Sequence, residues 1–250
     1  MNGASPAPPI TQHPTDAKVY FVADAHLGSE PSEAEARKLA DLCSLLTYLE
    51  GRASALYLLG DVFDFWFEYP RHAPPDHPEL LSALKRLSQA GTELHFLGGN
   101  HDYWAGSQLE TMTGAKVHRQ PIEVTLFGDQ VFIAHGDGLP AGDLGYVMLK
   151  AVLRNRVAIA AFGLIPPALG RAVARWASGL SEITADRILR AIPPMKAFLE
   201  DTIARGHRSA VVAHIHRPTI WRWRKGTGVI VGDWMANRSV VELTGDGFRM

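Results

Sequence analysis

Five short apolar runs, each ending abruptly in acidic, amide or imidazole side chains, constrain this chain more than any other feature. They are "VYFVADAH" from Val19, "ALYLLGD" from Ala55, "ELHFLGGNHD" from Glu93, "VFIAHGD" from Val131 and "AVVAHIH" from Ala210. Near-continuous apolar runs of this length fit strands buried on both faces. Between the first two, "SEAEARKLADLCSLLTYLE" carries Leu39, Leu42, Leu46 and Leu49 at helical spacing. Ser32 stands as its N-cap, with Glu35 three residues on. "HPELLSALKRLSQAG" repeats the helical pattern, with Gly91 as a stop signal. Strand alternating with helix implies parallel pairing through right-handed crossovers, hence an α/β fold. Two later stretches, "KVHRQPIEVTLFGDQVFIAH" and "GVIVGDWMANRSVVEL", read as hairpins.

With 250 residues, 46% of them hydrophobic, the chain can bury one large core or two small ones. The formal charge of −1 excludes a global bias toward nucleic acid or another polyanion. Cys43 is the single cysteine, so no disulfide framework exists within the chain, which suits a reducing compartment. Its place in the periodic run predicts a core position. Residues 1–17, rich in Pro and Ala, read as a disordered tail and not as a secretory signal. The remainder, 18–250, reads as one domain. "VAIAAFGLIPPALG" is too short to span a bilayer and carries Pro166 and Pro167.

A helical segment from about 139 to 208 interrupts the strand series and reads as an insertion. From Leu144 to Ser181 it contains no Asp or Glu, while Lys150, Arg154, Arg156, Arg171 and Arg175 alternate with Leu149, Val152, Leu153, Ile159, Phe162, Leu164 and Trp176.

The polar residues at the strand ends are Asp24 and His26, Asp61, Asn100 with His101 and Asp102, His135, and His214 with His216. In open α/β sheets ligands bind beyond the carboxyl ends of strands. Residues i and i+2 of a strand point to the same side, so Asp24-x-His26 is expected to offer a carboxylate and an imidazole to one ion, and His214-x-His216 two imidazoles. The donors are oxygen and nitrogen without thiolate, which points to Mn²⁺, Fe or Zn²⁺. Seven candidate ligands exceed what one ion takes, so two ions sharing a carboxylate are expected, with Asp61 of "LGDVFDFW" as the bridge. Such an ion pair, about 3.5–4 Å apart, activates water and clamps phosphate oxygens in phosphoryl chemistry.

The ordered set Asp24-x-His26, Gly60-Asp61-x-x-Asp64, Gly99-Asn100-His101-Asp102, His135 and His214-x-His216 resembles the calcineurin-like metallophosphoesterase superfamily. The resemblance implies a four-layer α/β/β/α sandwich with a dimetal site at the strand ends. It implies one ion on Asp24, His26, Asp61 and His216, and the second on Asp61, Asn100, His135 and His214. It implies that His101 stabilises the transition state or protonates the leaving group, and that Asp102 orients it. One departure is Ala213, where the family usually has glycine. It is harmless if φ is negative there.

"LGDVFDFW" with Phe63 and Trp66, "HGDGL", the helical insertion and "VGDW" are similar to the UDP-2,3-diacylglucosamine pyrophosphatases of lipid A synthesis. One branch of those enzymes has arginine after the metal asparagine, where this chain has His101. The resemblance implies hydrolysis of a nucleotide-linked glycolipid to UMP and a diacylglucosamine 1-phosphate, with Mn²⁺ the first-choice metal. The insertion would act as a lid or rest on anionic lipid, and Arg154 and Arg156 are its candidate substrate contacts. The chain is then expected to be cytoplasmic and peripheral on the inner face of the cell membrane. The alternatives are a phosphoesterase acting on a soluble nucleotide, phosphodiester or phosphoprotein, and an inactive metal-bound scaffold.

Overall fold

The computed structural model describes residues 17–69, 76–139, 155–170, 172–173 and 185–250. The expected tail, apart from Ala17, lies outside the described residues, as does Arg154. The first half alternates strand and helix: β1 (Val19–Val22), α1 (Ser32–Leu49), β2 (Ala55–Leu58), α2 (Pro78–Gln89), β3 (Glu93–Leu97), α3 (Ser107–Thr113) and β4 (Lys116–His118). Then come β5 (Ile122–Leu126), β6 (Asp129–Ile133), α4 (Arg156–Phe162), α5 (Ala185–Ala204), β7 (Ser209–Val212), β8 (Thr219–Trp223), β9 (Gly226–Ile230), β10 (Val241–Thr244) and β11 (Gly247–Arg249).

These strands form two sheets, ordered β11-β10-β1-β2-β3-β4 and β5-β6-β7-β9-β8. β1 to β4 pair in parallel, as Val19 with Ala55, Leu56 with Leu94 and Phe96 with Val117. In the second sheet β6, β7 and β9 are parallel, as Ile133 with Val211 and Val211 with Val229. β1, β2 and β7 are buried at every position, which accounts for their unbroken apolar sequences. One apolar layer joins Leu42, Leu46 and Leu49 of α1 and Leu80, Leu84 and Leu87 of α2 to the first sheet. A second, with Phe21, Tyr57, Val211 and Val229, lies between the sheets. A third sets Met195, Leu199 and Ile203 of α5 against the second sheet. The result is the α/β/β/α layering expected, with helices covering the outer faces of two apposed sheets.

Three local expectations change. "GVIVGDWMANRSVVEL" is not a hairpin: β9 lies in the second sheet and β10 in the first, so the intervening loop crosses between sheets. In "KVHRQPIEVTLFGDQVFIAH", β5 and β6 do form a hairpin, turning at Phe127 and Gly128 with φ of 53° and 83°, while β4 joins the first sheet. Ser32 does not cap α1: Pro31 precedes the first turn, with no side-chain cap. Cys43 is half-buried against the first layer.

Candidate metal centre

The strand tips meet because both sheets end at the same place. His214 N–H donates to Asp24 Oδ2 at 3.0 Å, tying the end of β7 to the end of β1. His135 Nδ1 meets the Leu59 carbonyl at 2.6 Å, tying the end of β6 to the end of β2. Three groups of potential ligand atoms result: Asp24, His26 and His216; His26, Asp61 and His101; and Asp61, His135 and His214. Asp61 Oδ2 lies 3.8 Å from His26 Nε2 and 3.3 Å from His135 Nε2, between the two outer groups. His216 Nε2 is 3.4 Å, and His26 Nε2 3.9 Å, from Asp24 Oδ1.

The pairs do not converge by strand alternation. Asp24, His26, Asp61, His214 and His216 stand beyond their strands with φ of 51°, 42°, 51°, 68° and 52°. The left-handed region costs a residue with a Cβ roughly 1–2 kcal/mol. Its repeated use here turns side chains inward from a backbone that has left the sheet. Ala213 does not have a positive φ, so alanine replaces the usual glycine without this strain. Gly60 and Gly99 are needed for space. A Cβ on Gly60 would approach Gly99 N to 2.6 Å and His135 Nδ1 to 2.7 Å, and one on Gly99 would clash with Asp61 Oδ1.

The donor set fits divalent ions. Asp24 Oδ1, His26 Nε2, Asn100 Oδ1 and His216 Nε2 are buried and have no hydrogen-bond partner among the described residues. Such atoms are costly unless something polar completes them. Asn100 sits between Gly99, packed against Asp61, and His101, whose N–H donates to Asp61 Oδ1 at 2.9 Å. His135 Nε2 and His214 Nδ1 approach to 3.2 Å. Two imidazole nitrogens aimed at each other in a buried site suit a cation between them.

Electrostatics follow the same geometry. Burial alone would raise the Asp61 carboxyl, but the imidazoles of His135, His101 and His26 hold it well below the usual carboxylate range. Burial opposes charge on His135, yet Asp61 and Asp24 raise it well above an ordinary histidine. Burial and the neighbouring His135 charge push His214 down to about 4. His101 is raised to about 9, burial being outweighed by Asp61 and Asp64.

The carboxylate beside the His101 ring is that of Asp64, where the family resemblance had pointed to Asp102. His101 Nδ1 is 2.9 Å from the Asp64 carbonyl and 3.4 Å from its carboxylate, which also lies 3.8 Å from His26 Nδ1. Asp102 is fully buried and accepts four main-chain N–H bonds: from Asp61 at 3.1 Å, Val62 at 2.8 Å, Phe63 at 3.3 Å and Gly99 at 2.8 Å. Its place is beneath the loops that carry Asp61 and Asn100. The second aspartate of "GDVFD" was the sequence signal for Asp64.

Helix α4 reaches this region through aromatic packing. Phe162 of α4 lies 4.9 Å from Phe67 and 5.5 Å from Trp104, centroid to centroid. Trp104 follows His101 by three residues, so this packing abuts the loop carrying the catalytic candidate. Arg156 opens α4. Among the described residues no helix is long and apolar enough to cross a membrane.

Comparison with known proteins places the chain in a family of phosphoesterases. A family model described as calcineurin-like phosphoesterase matches residues 17–239. A UDP-2,3-diacylglucosamine hydrolase of Nitrosococcus oceani is 28% identical over 236 residues, covering 92% of each chain. Proteins of the same name from Porphyromonas gingivalis and Aeromonas hydrophila are 35% and 29% identical over 170 and 229 residues. These matches cover 66% and 88% of this chain, and 61% and 92% of those proteins. The chain belongs to the calcineurin-like phosphoesterases, metal-dependent hydrolases of phosphate esters built around a two-metal centre.

Proposed function

We propose that this phosphoesterase cleaves the pyrophosphate of UDP-2,3-diacylglucosamine to UMP and diacylglucosamine 1-phosphate, a step of lipid A synthesis. The observation that carries the hydrolytic part is the convergence of Asp24, His26, Asp61, His135, His214 and His216, with Asp24 Oδ1, His26 Nε2 and His216 Nε2 buried and without a hydrogen-bond partner among the described residues. The substrate rests on the shared name of relatives aligned along most of the chain.

In this reading Asp24, His26, Asp61 and His216 hold one divalent ion, and Asp61, Asn100, His135 and His214 the other. Mn²⁺ is the first choice, although Fe and Zn²⁺ suit the same donors. When bound, such a pair supplies Lewis acidity and lowers the pKa of water for attack on phosphorus. His135 gives Nδ1 to the Leu59 carbonyl, which keeps Nε2 for the centre. His101 has Nδ1 engaged by Asp64, so Nε2 is the nitrogen through which it would steady or protonate the departing phosphate. Asp64 fixes the ring; Asp102 holds the loops. A cavity of about 160 Å³ beside His135, lined in part by His118, Arg119 and Gln120, gives room for a substituent of the phosphate.

The insertion supplies the lipid side. Val157, Leu164, Leu169, Val173 and Leu189 are exposed, and all belong to it. Exposed apolar side chains gathered on one segment favour contact with acyl chains or a lipid surface. Arg154 and Arg156 would meet the pyrophosphate or anionic headgroups.

The test is an assay of the diacyl UDP-sugar with Mn²⁺, Fe²⁺ and Zn²⁺ in turn, read by the mass of the products. UMP and the glycolipid monophosphate are expected. Turnover of bis-p-nitrophenyl phosphate with none of the lipid substrate would replace this assignment with a soluble phosphodiester or nucleotide.

A further inference from the structure

The buried stripe of α1 is Lys38, Leu42, Leu46 and Leu49. A lysine begins an otherwise leucine face, and its side chain is wholly inaccessible. A desolvated ammonium is costly unless each proton has an acceptor. Lys38 Nζ lies 3.0 Å from the His26 carbonyl, 3.4 Å from Ser29 Oγ, and 3.3 Å from both Glu30 Oε2 and Glu35 Oε2. Glu35 is itself fixed, since it accepts the Glu30 N–H at 3.1 Å. The ammonium therefore grips the main chain of His26, which has a φ of 42°.

A matching grip holds His216, whose φ is 52°. Asn237 Nδ2 donates to the His216 carbonyl at 3.2 Å and to the Asp233 carboxylate. Asp233 also accepts the N–H groups of Ala236 and Asn237. Trp234 links the two grips. Its indole N–H donates to the Lys38 carbonyl at 3.2 Å, and its main-chain N–H lies 3.1 Å from the carbonyls of Ala23 and Asp24.

Both gripped histidines belong to the group that contains Asp24. The other group is held differently, through the Leu59 carbonyl on His135 and through Asp102 beneath Asp61. From this separation we infer that Lys38 and Asn237 are positioning residues for the ion held by Asp24, His26, Asp61 and His216, and set its affinity independently of the second ion. The inference rests on the two-ion reading given above. Without Lys38 or Asn237 these strained histidine backbones are held less firmly, Ser29 alone remaining on the His26 carbonyl, and the loss falls on the one ion whose donors they carry.

The experiment loads Lys38→Met, Asn237→Ala and wild-type full-length protein with Mn²⁺. Bound metal is counted at graded free Mn²⁺, and paramagnetic resonance spectra are recorded. Wild-type protein is expected to show the spectrum of an exchange-coupled pair. Each variant should keep one tightly bound ion and show the six-line spectrum of isolated Mn²⁺. The other site should weaken by about 10–100-fold, the usual cost of losing an outer partner of a ligand. Asn237 is exposed, so its variant tests the inference even if Lys38→Met does not fold. Two ions bound with wild-type affinity in the variants would overturn it, as would equal weakening of both. A wild-type protein that takes up only one ion would instead overturn the two-ion reading, and this inference with it.

Discussion

Asp102→Asn separates a structural from a catalytic role for the last residue of "GNHD". Oδ1 accepts N–H bonds from Asp61 and Gly99, and Oδ2 from Val62 and Phe63. An amide has one oxygen. Whichever way it is oriented, two main-chain donors lose their acceptor and face an NH₂ group. Asp102 is fully buried, so water does not replace the lost acceptor. Hydrogen bonds to charged groups contribute about 1.5–3 kcal/mol each, so the variant loses about 3–6 kcal/mol. Total stability is typically about 5–15 kcal/mol. For a chain of this size even the lower figure lowers Tm by about 6–12 °C. Burial and the Asp61 charge raise Asp102 to about 6 against the pull of its N–H donors, so the measurement belongs at pH 8, where the carboxylate is ionised. Thermal unfolding of metal-free protein isolates the loop from the ions. An unchanged Tm with a reduced kcat would refute this reasoning and restore Asp102 as the residue that orients His101.

His101→Ala is expected to retain both metals, by elemental analysis, while the rate on a phosphodiester falls by about 10²–10⁴-fold; loss of metal would make it a ligand. Gly99→Ala should abolish tight metal binding, because its Cβ would clash with Asp61 Oδ1 and with the Asp61 main-chain nitrogen; a variant that loads normally would show that the loops move apart at no cost. Metal uptake at pH 7 should release protons into weakly buffered solution. Against burial, Asp61 raises His135 well above an ordinary histidine, so it is protonated when metal-free, and Asp24 likewise raises His216. Ligation needs neutral imidazole, so apparent affinity should fall as pH falls; uptake without proton release would contradict this.

The candidate metal centre left a strong trace in the sequence because a metal donor must be a particular residue type at a particular strand end. Asp24, Asp61, His135 and His216 are recognisable for that reason. Lys38 was harder to see. Its signal was a lysine at an apolar position of α1, and an amphipathic stripe tolerates a long snorkelling side chain without implying a buried one. Asn237 lies in a loop with no periodicity at all, and its partner is 21 residues away.

Composition and pattern by themselves determined that strands and helices would alternate, that β1, β2 and β7 would be buried on both faces, and which residues would stand at their tips. These are local matters, set by hydrophobic periodicity and residue chemistry. The tertiary structure alone decided that β9 and β10 belong to different sheets, that the ligand pairs converge through left-handed backbone, and that Asp64 rather than Asp102 adjoins His101. Each depends on contacts between segments far apart in the chain, and a one-dimensional pattern carries side-chain type and spacing but not the direction in which a loop beyond a strand turns.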